Sequence, residues 1–110
     1  MPASAVALHT ATAKLPILDL VFAKRDLILR IAKMDHIEGV SVFGSVARRE
    51  EQASSDIDFL VDPADDASLF DIAQFELDME ALFDRSVDAV SSRALSAEKH
   101  ADILREVVAL

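Results

Sequence analysis

Between Lys14 and Lys33, apolar residues at Ile17, Leu20, Val21, Leu27, Ile28 and Ile31 recur at helical spacing, with Asp19, Arg25, Asp26 and Arg30 on the other sides. The spacing predicts one long amphipathic helix over 14–33, with Pro16 in its first turn and an end near Met34 and Asp35. Residues 39–43, Gly-Val-Ser-Val-Phe, are short, β-branched and apolar and run into Gly44, which predicts a strand ending in a turn. A short helix over 45–52 and a loop over 53–55 follow. Ile57, Phe59 and Val61 then alternate with Asp56, Asp58 and Leu60, so a second strand carries both aspartates on one face. Residues 63–67 form a turn, and Ser68 with Asp71 three residues on predicts a capping box that opens a helix to about Asp84. Its buried stripe is expected at Leu69, Ile72, Phe75, Met79 and Leu82, with Asp71, Gln74 and Asp78 toward water. A third strand is predicted over 87–90, with Asp88 pointing away from Val87 and Ala89. Ser96 is expected to cap a last helix carrying Ala101, Leu104, Val107 and Val108. Helices alternating with strands define an α/β domain, a small mixed sheet of at least three strands flanked by helices.

Residues 1–13 lack a clear period and read as an N-terminal tail, leaving 14–110 as one domain. The composition, 52% hydrophobic and 28% charged, is that of a globular chain rather than a disordered one. Acids outnumber bases 20 to 11, a net charge of -9 that argues against direct nucleic-acid binding. With no cysteine there is no thiolate nucleophile and no zinc–thiolate site. Lys14, Asp19, Lys24 and Arg25 interrupt the longest apolar stretches, so no membrane span is expected, and the reading is a soluble, cytoplasmic protein.

Common phosphate-loop, dinucleotide, serine-hydrolase and zinc-protease motifs are absent, and His9, His36 and His100 are far apart. What remains is Gly44-Ser45 at the end of one strand and Ser55-Asp56-Ile57-Asp58 opening the next. A glycine there lets backbone approach a ligand closely, the amides that follow face it as donors, and Ser45 adds a hydroxyl. Together these suit nucleotide phosphates. Asp56 and Asp58 project from one face and meet Asp88 if the third strand lies beside the second. Three such carboxylates suit Mg²⁺, whose partners are oxygen ligands, phosphates and water. In a chain with 13 aspartates an Asp-x-Asp pair alone carries no information, and only the joint pattern does.

The segment VFGSVARREEQASSDIDFLVD resembles the signature of the minimal nucleotidyltransferase family, within the DNA polymerase beta-like superfamily, as GSxxR, a short spacer and SDID. SVDAVSSRAL and ILREVVAL resemble that family's third-aspartate strand and C-terminal helix, so the likeness spans residues 34–110. The resemblance implies a palm-like nucleotidyltransferase domain in which Gly44 and Ser45 grip a triphosphate, with Arg48 near the phosphates. It implies that Asp56, Asp58 and Asp88 are catalytic and ligate two Mg²⁺ ions, Asp88 helping to activate the acceptor hydroxyl. It further implies an antitoxin that moves AMP from ATP onto a tyrosine of a partner HEPN ribonuclease toxin within a hetero-oligomer.

The acidic balance suits a basic partner. The 110 residues include no tryptophan or tyrosine and no separate fingers or acceptor domain, so the acceptor protein is expected to complete the site. The alternative is a non-catalytic binding module that neutralises its partner by complex formation, although such a module has no need of three aspartates. Transfer to an aminoglycoside or a tRNA end fits less well, for want of a second domain or a basic surface. The apolar surfaces of the first and third helices could serve a second copy or a toxin equally well.

Overall fold

The computed structural model describes residues 16–110. The expected tail over 1–13 and the start of the first predicted helix lie outside the described residues. The elements are α1 (Ile17–Ala23), α2 (Arg25–Met34), β1 (Ile37–Phe43), α3 (Gly44–Ala47), β2 (Ile57–Pro63), α4 (Leu69–Phe83), β3 (Val87–Ser91), a 3₁₀ turn (Ser92–Ala94), α5 (Ala101–Glu106) and β4 (Val108–Ala109). The sheet order is β3-β2-β1-β4, with β1 antiparallel to β2 and β4, and β3 parallel to β2. This is the mixed α/β sheet flanked by helices that the pattern predicts.

Residues paired across neighbouring strands share a face. Val40 and Val42 pair with Val61 and Phe59, and Ile57 and Phe59 with Val87 and Ala89, so one face of the sheet is apolar through its centre, with Ser91 opposite Val61 at its edge. It packs on α2 through Ile28 and Ala32 and on α4 through Phe75 and Met79, all buried. Phe59 and Phe75 meet edge to face at 5.8 Å, a geometry worth about 1 kcal/mol beyond the area buried. The aspartates of β2 and β3 necessarily fall on the opposite face.

The predicted first helix is two helices. At Lys24 (φ -104°, ψ 12°) the amide bridges the carbonyls of Leu20 and Val21, and the chain turns before α2 begins. Neither glycine nor proline marks the break. Leu18 and Val21 are buried from α1, whereas Leu27 is 39% exposed. Strand β1 begins two residues earlier than predicted, with a bulge between Ile37 and Gly39. The helix expected over 45–52 is the single turn α3, anchored by buried Val46.

The Ser68–Asp71 capping box is present: the Ser68 amide donates to Asp71 Oδ2 at 2.9 Å, and the Asp71 amide to Ser68 Oγ at 3.4 Å. Leu69, placed in the buried stripe by its spacing, is instead 83% exposed, since it lies about 100° around the helix from the buried Phe75 and Met79, while Ile72 of the same turn packs on the core. Val107 and Val108 were expected on the last helix, but Val107 is extended and Val108 opens β4, opposite Val42. Nor does Ser96 cap α5. Its Oγ accepts the Lys99 amide in the preceding turn, and His100 is the residue before the helix.

Open sheets must protect their edges. The outward amides of β3, those of Val87 and Ala89, donate to the side chains of Glu80 and Glu76 of α4 at 3.1 and 2.8 Å.

Asp35, which ends α2, has a buried Oδ2 without a hydrogen-bond partner. Burial, then hydrogen bonding with and repulsion from Asp78, push its pKa up to about 6, with Asp71 adding to the effect and His36 opposing it. A carboxyl bound more tightly to its proton in the folded state stabilises fully below its unfolded pKa of about 4, and that stability is lost as pH rises through the folded value. Asp35→Asn is therefore expected to stabilise the fold by about 1 kcal/mol at pH 7, the shift being discounted for solvent screening. It should also flatten the fall in stability between about pH 4 and 6, as read by urea denaturation across that range.

Candidate active site

Strand β1 ends at Phe43, opposite Asp58 of β2, and Gly44 turns the chain away with φ +72°. That angle lies in the left-handed region, where a side chain is strained. The space is also taken. A Cβ on Gly44 would lie 3.3 Å from Cγ of Asp58 and overlap its Oδ2. Glycine is the residue that lets the Asp58 carboxylate lie against the turn.

Strand β3 sits beside β2 in parallel register with Asp58 opposite Asp88, and Asp56 precedes Asp58 by two. The structure thus places the two β2-side aspartates and Asp88 at one end of the sheet, on the face away from α2 and α4. Asp58 is half-buried, Asp56 and Asp88 exposed. Burial first, then the charges of Asp88 and Asp56, raise the Asp58 pKa, and Arg48 pulls it back. Such mutual repulsion is what a cation would relieve, and the donors are all hard oxygens. Among the described residues no three ligating side chains are gathered tightly enough to hold an ion by themselves.

Ser45 follows Gly44 in α3 and is partly exposed beside the carboxylates' end of the sheet. Arg48, at the end of α3, is exposed and forms ion pairs with Glu106 of α5 and with Glu50 (3.6 Å). The 48–56 loop is held from several sides. Arg49 bonds Asp19 of α1 at 2.9 Å, and Glu51 accepts the Ile17 amide at 3.3 Å. Ser55 shapes the turn before β2, its Oγ accepting the Gln52 amide at 2.8 Å. Arg85 donates to the carbonyls of Ser55 (2.8 Å) and Gln52 (3.3 Å). Sequence reasoning missed Asp19, Glu51, Arg85 and Glu106, whose partners are 30 or more residues away and leave no local signal.

A sheet of this order with carboxylates converging beside a glycine turn defines a nucleotidyl-transfer domain. The family described as "Polymerase beta, Nucleotidyltransferase" matches residues 26–110, and the chain belongs to that family of nucleotidyltransferases. Within it the chain belongs with the minimal nucleotidyltransferases: a solved structure bearing that name is 36% identical, with a TM-score of 0.75, over 84% of this chain and 95% of the other. A protein of Methanocaldococcus jannaschii provisionally named as a protein adenylyltransferase is 31% identical over 81 residues, 74% of this chain and 87% of that protein. The fold also matches a chain in the complex of a tri-AMPylated HEPN toxin with its MNT antitoxin from Shewanella oneidensis. The TM-score there is 0.58 and the identity 18%, over 79% of this chain and 68% of the other, a likeness of fold. Among the described residues no helix is long and apolar enough to cross a membrane.

Proposed function

We propose that this nucleotidyltransferase is an antitoxin that transfers AMP from ATP to a hydroxyl, that of a tyrosine, on a partner HEPN-type ribonuclease toxin. The observation that carries the reading is the Asp58 carboxylate, seated where a Gly44 side chain would be and opposite Asp88. The named relatives support the choice of AMP and of a protein acceptor. In this reading Gly44 offers backbone to the triphosphate, Ser45 donates its hydroxyl, and Arg48 exchanges its carboxylate partners Glu50 and Glu106 for phosphate. Asp56, Asp58 and Asp88 would hold two Mg²⁺ ions, which when bound supply positive charge to the triphosphate and the leaving pyrophosphate. The acceptor oxygen bonds to the α-phosphorus, the bond from that phosphorus to the bridging oxygen of the β-phosphate breaks, and pyrophosphate departs. The hydroxyl proton passes to the Asp88 carboxylate, whose exposure leaves it open to the acceptor.

The test is intact-mass analysis of a HEPN-type protein, sought first in the product of the neighbouring gene, after incubation with this chain, ATP and Mg²⁺. A gain of one or more AMP masses, absent with Asp56→Asn, is the expected result. A stable complex with no mass gain would leave the protein a stoichiometric binding module.

A further inference from the structure

Leu69 and Phe70 at the start of α4 are 83% and 86% exposed, and Leu77 is 60% exposed two turns on. Helical spacing aligns Phe70, Ala73, Leu77 and Ala81 in one stripe, on the side of α4 opposite the core residues Phe75 and Met79. The stripe runs into a groove of about 380 Å³ between α2 and α4, lined by Ile31, Met34, Asp78, Ala81 and Leu82, where Met34 is 73% exposed. Isolated exposed apolar residues are ordinary, but a continuous stripe joined to a groove marks a contact surface.

The charges around it select the occupant. Helix α4 contains no lysine or arginine; Asp71 and Asp78 flank the stripe on one side, Glu76 and Glu80 on the other, and Asp84 closes its C-terminal end. A second copy docked α4 to α4 would bring these rows of carboxylates together, in chains that each carry a charge of -9. We infer that the outer face of α4 docks a partner protein whose own contact surface is an apolar ridge fringed by lysine and arginine. Resting on the proposed function, this surface is where the acceptor protein is held.

The test measures the affinity of the same HEPN-type protein for the full chain by calorimetry at low and high salt. For the wild type, binding is expected to weaken as salt rises. Phe70→Glu/Leu77→Glu should raise the Kd at least tenfold, and Phe70→Ala/Leu77→Ala should raise it by less. Both should leave the Tm of the isolated chain unchanged, since these side chains are exposed. An unchanged Kd overturns the docking surface while leaving the proposed function standing. A wild-type dimer in light scattering that the glutamate variant dissolves assigns the face to a second copy. If the wild type binds through this face but the partner gains no mass with ATP and Mg²⁺, docking stands and the proposed activity fails; no binding by the wild type overturns both.

Discussion

Gly44→Ala is expected to abolish AMP transfer while the protein still folds. A methyl at φ +72° costs about 1–2 kcal/mol of backbone strain, and the overlap with Asp58 Oδ2 must be relieved by moving that carboxylate or the turn itself. Either movement displaces a group that has to meet the triphosphate, and a misplacement of about 1 Å costs about 10²-fold in rate. A loss of at least about 10²-fold is the expected outcome, alongside a fall in stability of about 2 kcal/mol. Single-turnover AMP transfer and urea denaturation of the same variant give the two numbers. Undiminished transfer would remove Gly44 and Asp58 from the site.

Asp58→Asn should separate activity from stability in the opposite sense. The variant keeps the shape of the side chain and removes the charge that burial, Asp88 and Asp56 all disfavour. Transfer is expected to drop by at least about 10²-fold, the scale on which losing one preorganised electrostatic partner of a reacting group is felt. Stability should rise, since the charge removed is the one its surroundings disfavour. The pH dependence follows the same sign. The raised pKa of Asp58 means that the wild type loses stability as pH climbs from the unfolded value through the folded one, and the asparagine variant lacks that loss. An enzyme that becomes more stable and inactive through one substitution has been holding strain at its site for use. A variant both inactive and less stable would make Asp58 a structural residue.

The parts of the fold that were legible in the sequence are those carried by local periodicity. Alternation from Asp56 to Val61 located β2 and set its aspartates on one face, and Ser68 with Asp71 located the start of α4. Asp88 could be placed on a strand but not beside Asp58, because the register of parallel strands is a tertiary fact. β4 escaped for a related reason: its two residues are shorter than any period, and their strand character comes from pairing with β1 more than 60 residues away. The break at Lys24 is invisible because the amphipathic pattern passes through it without a glycine or proline. At the candidate site, the spacing of GSxxR and SDID supplied the candidate residues, whereas the ion pair that parks Arg48 on Glu106 and the anchoring of the loop by Arg85 depend on elements assembled late in the chain.

The two glutamates of α4 that occupy the outward amides of β3 have a consequence for how the molecule meets its neighbours. Side chains standing in for a missing strand close the sheet to lateral growth, so the molecule is discouraged from recruiting copies of itself along that border. On the same helix, a quarter turn away, lie the bare Phe70 and Leu77. Helix α4 therefore polarises adhesion, silencing the generic stickiness of peptide backbone while presenting a surface that rewards only a shape and charge made to match it.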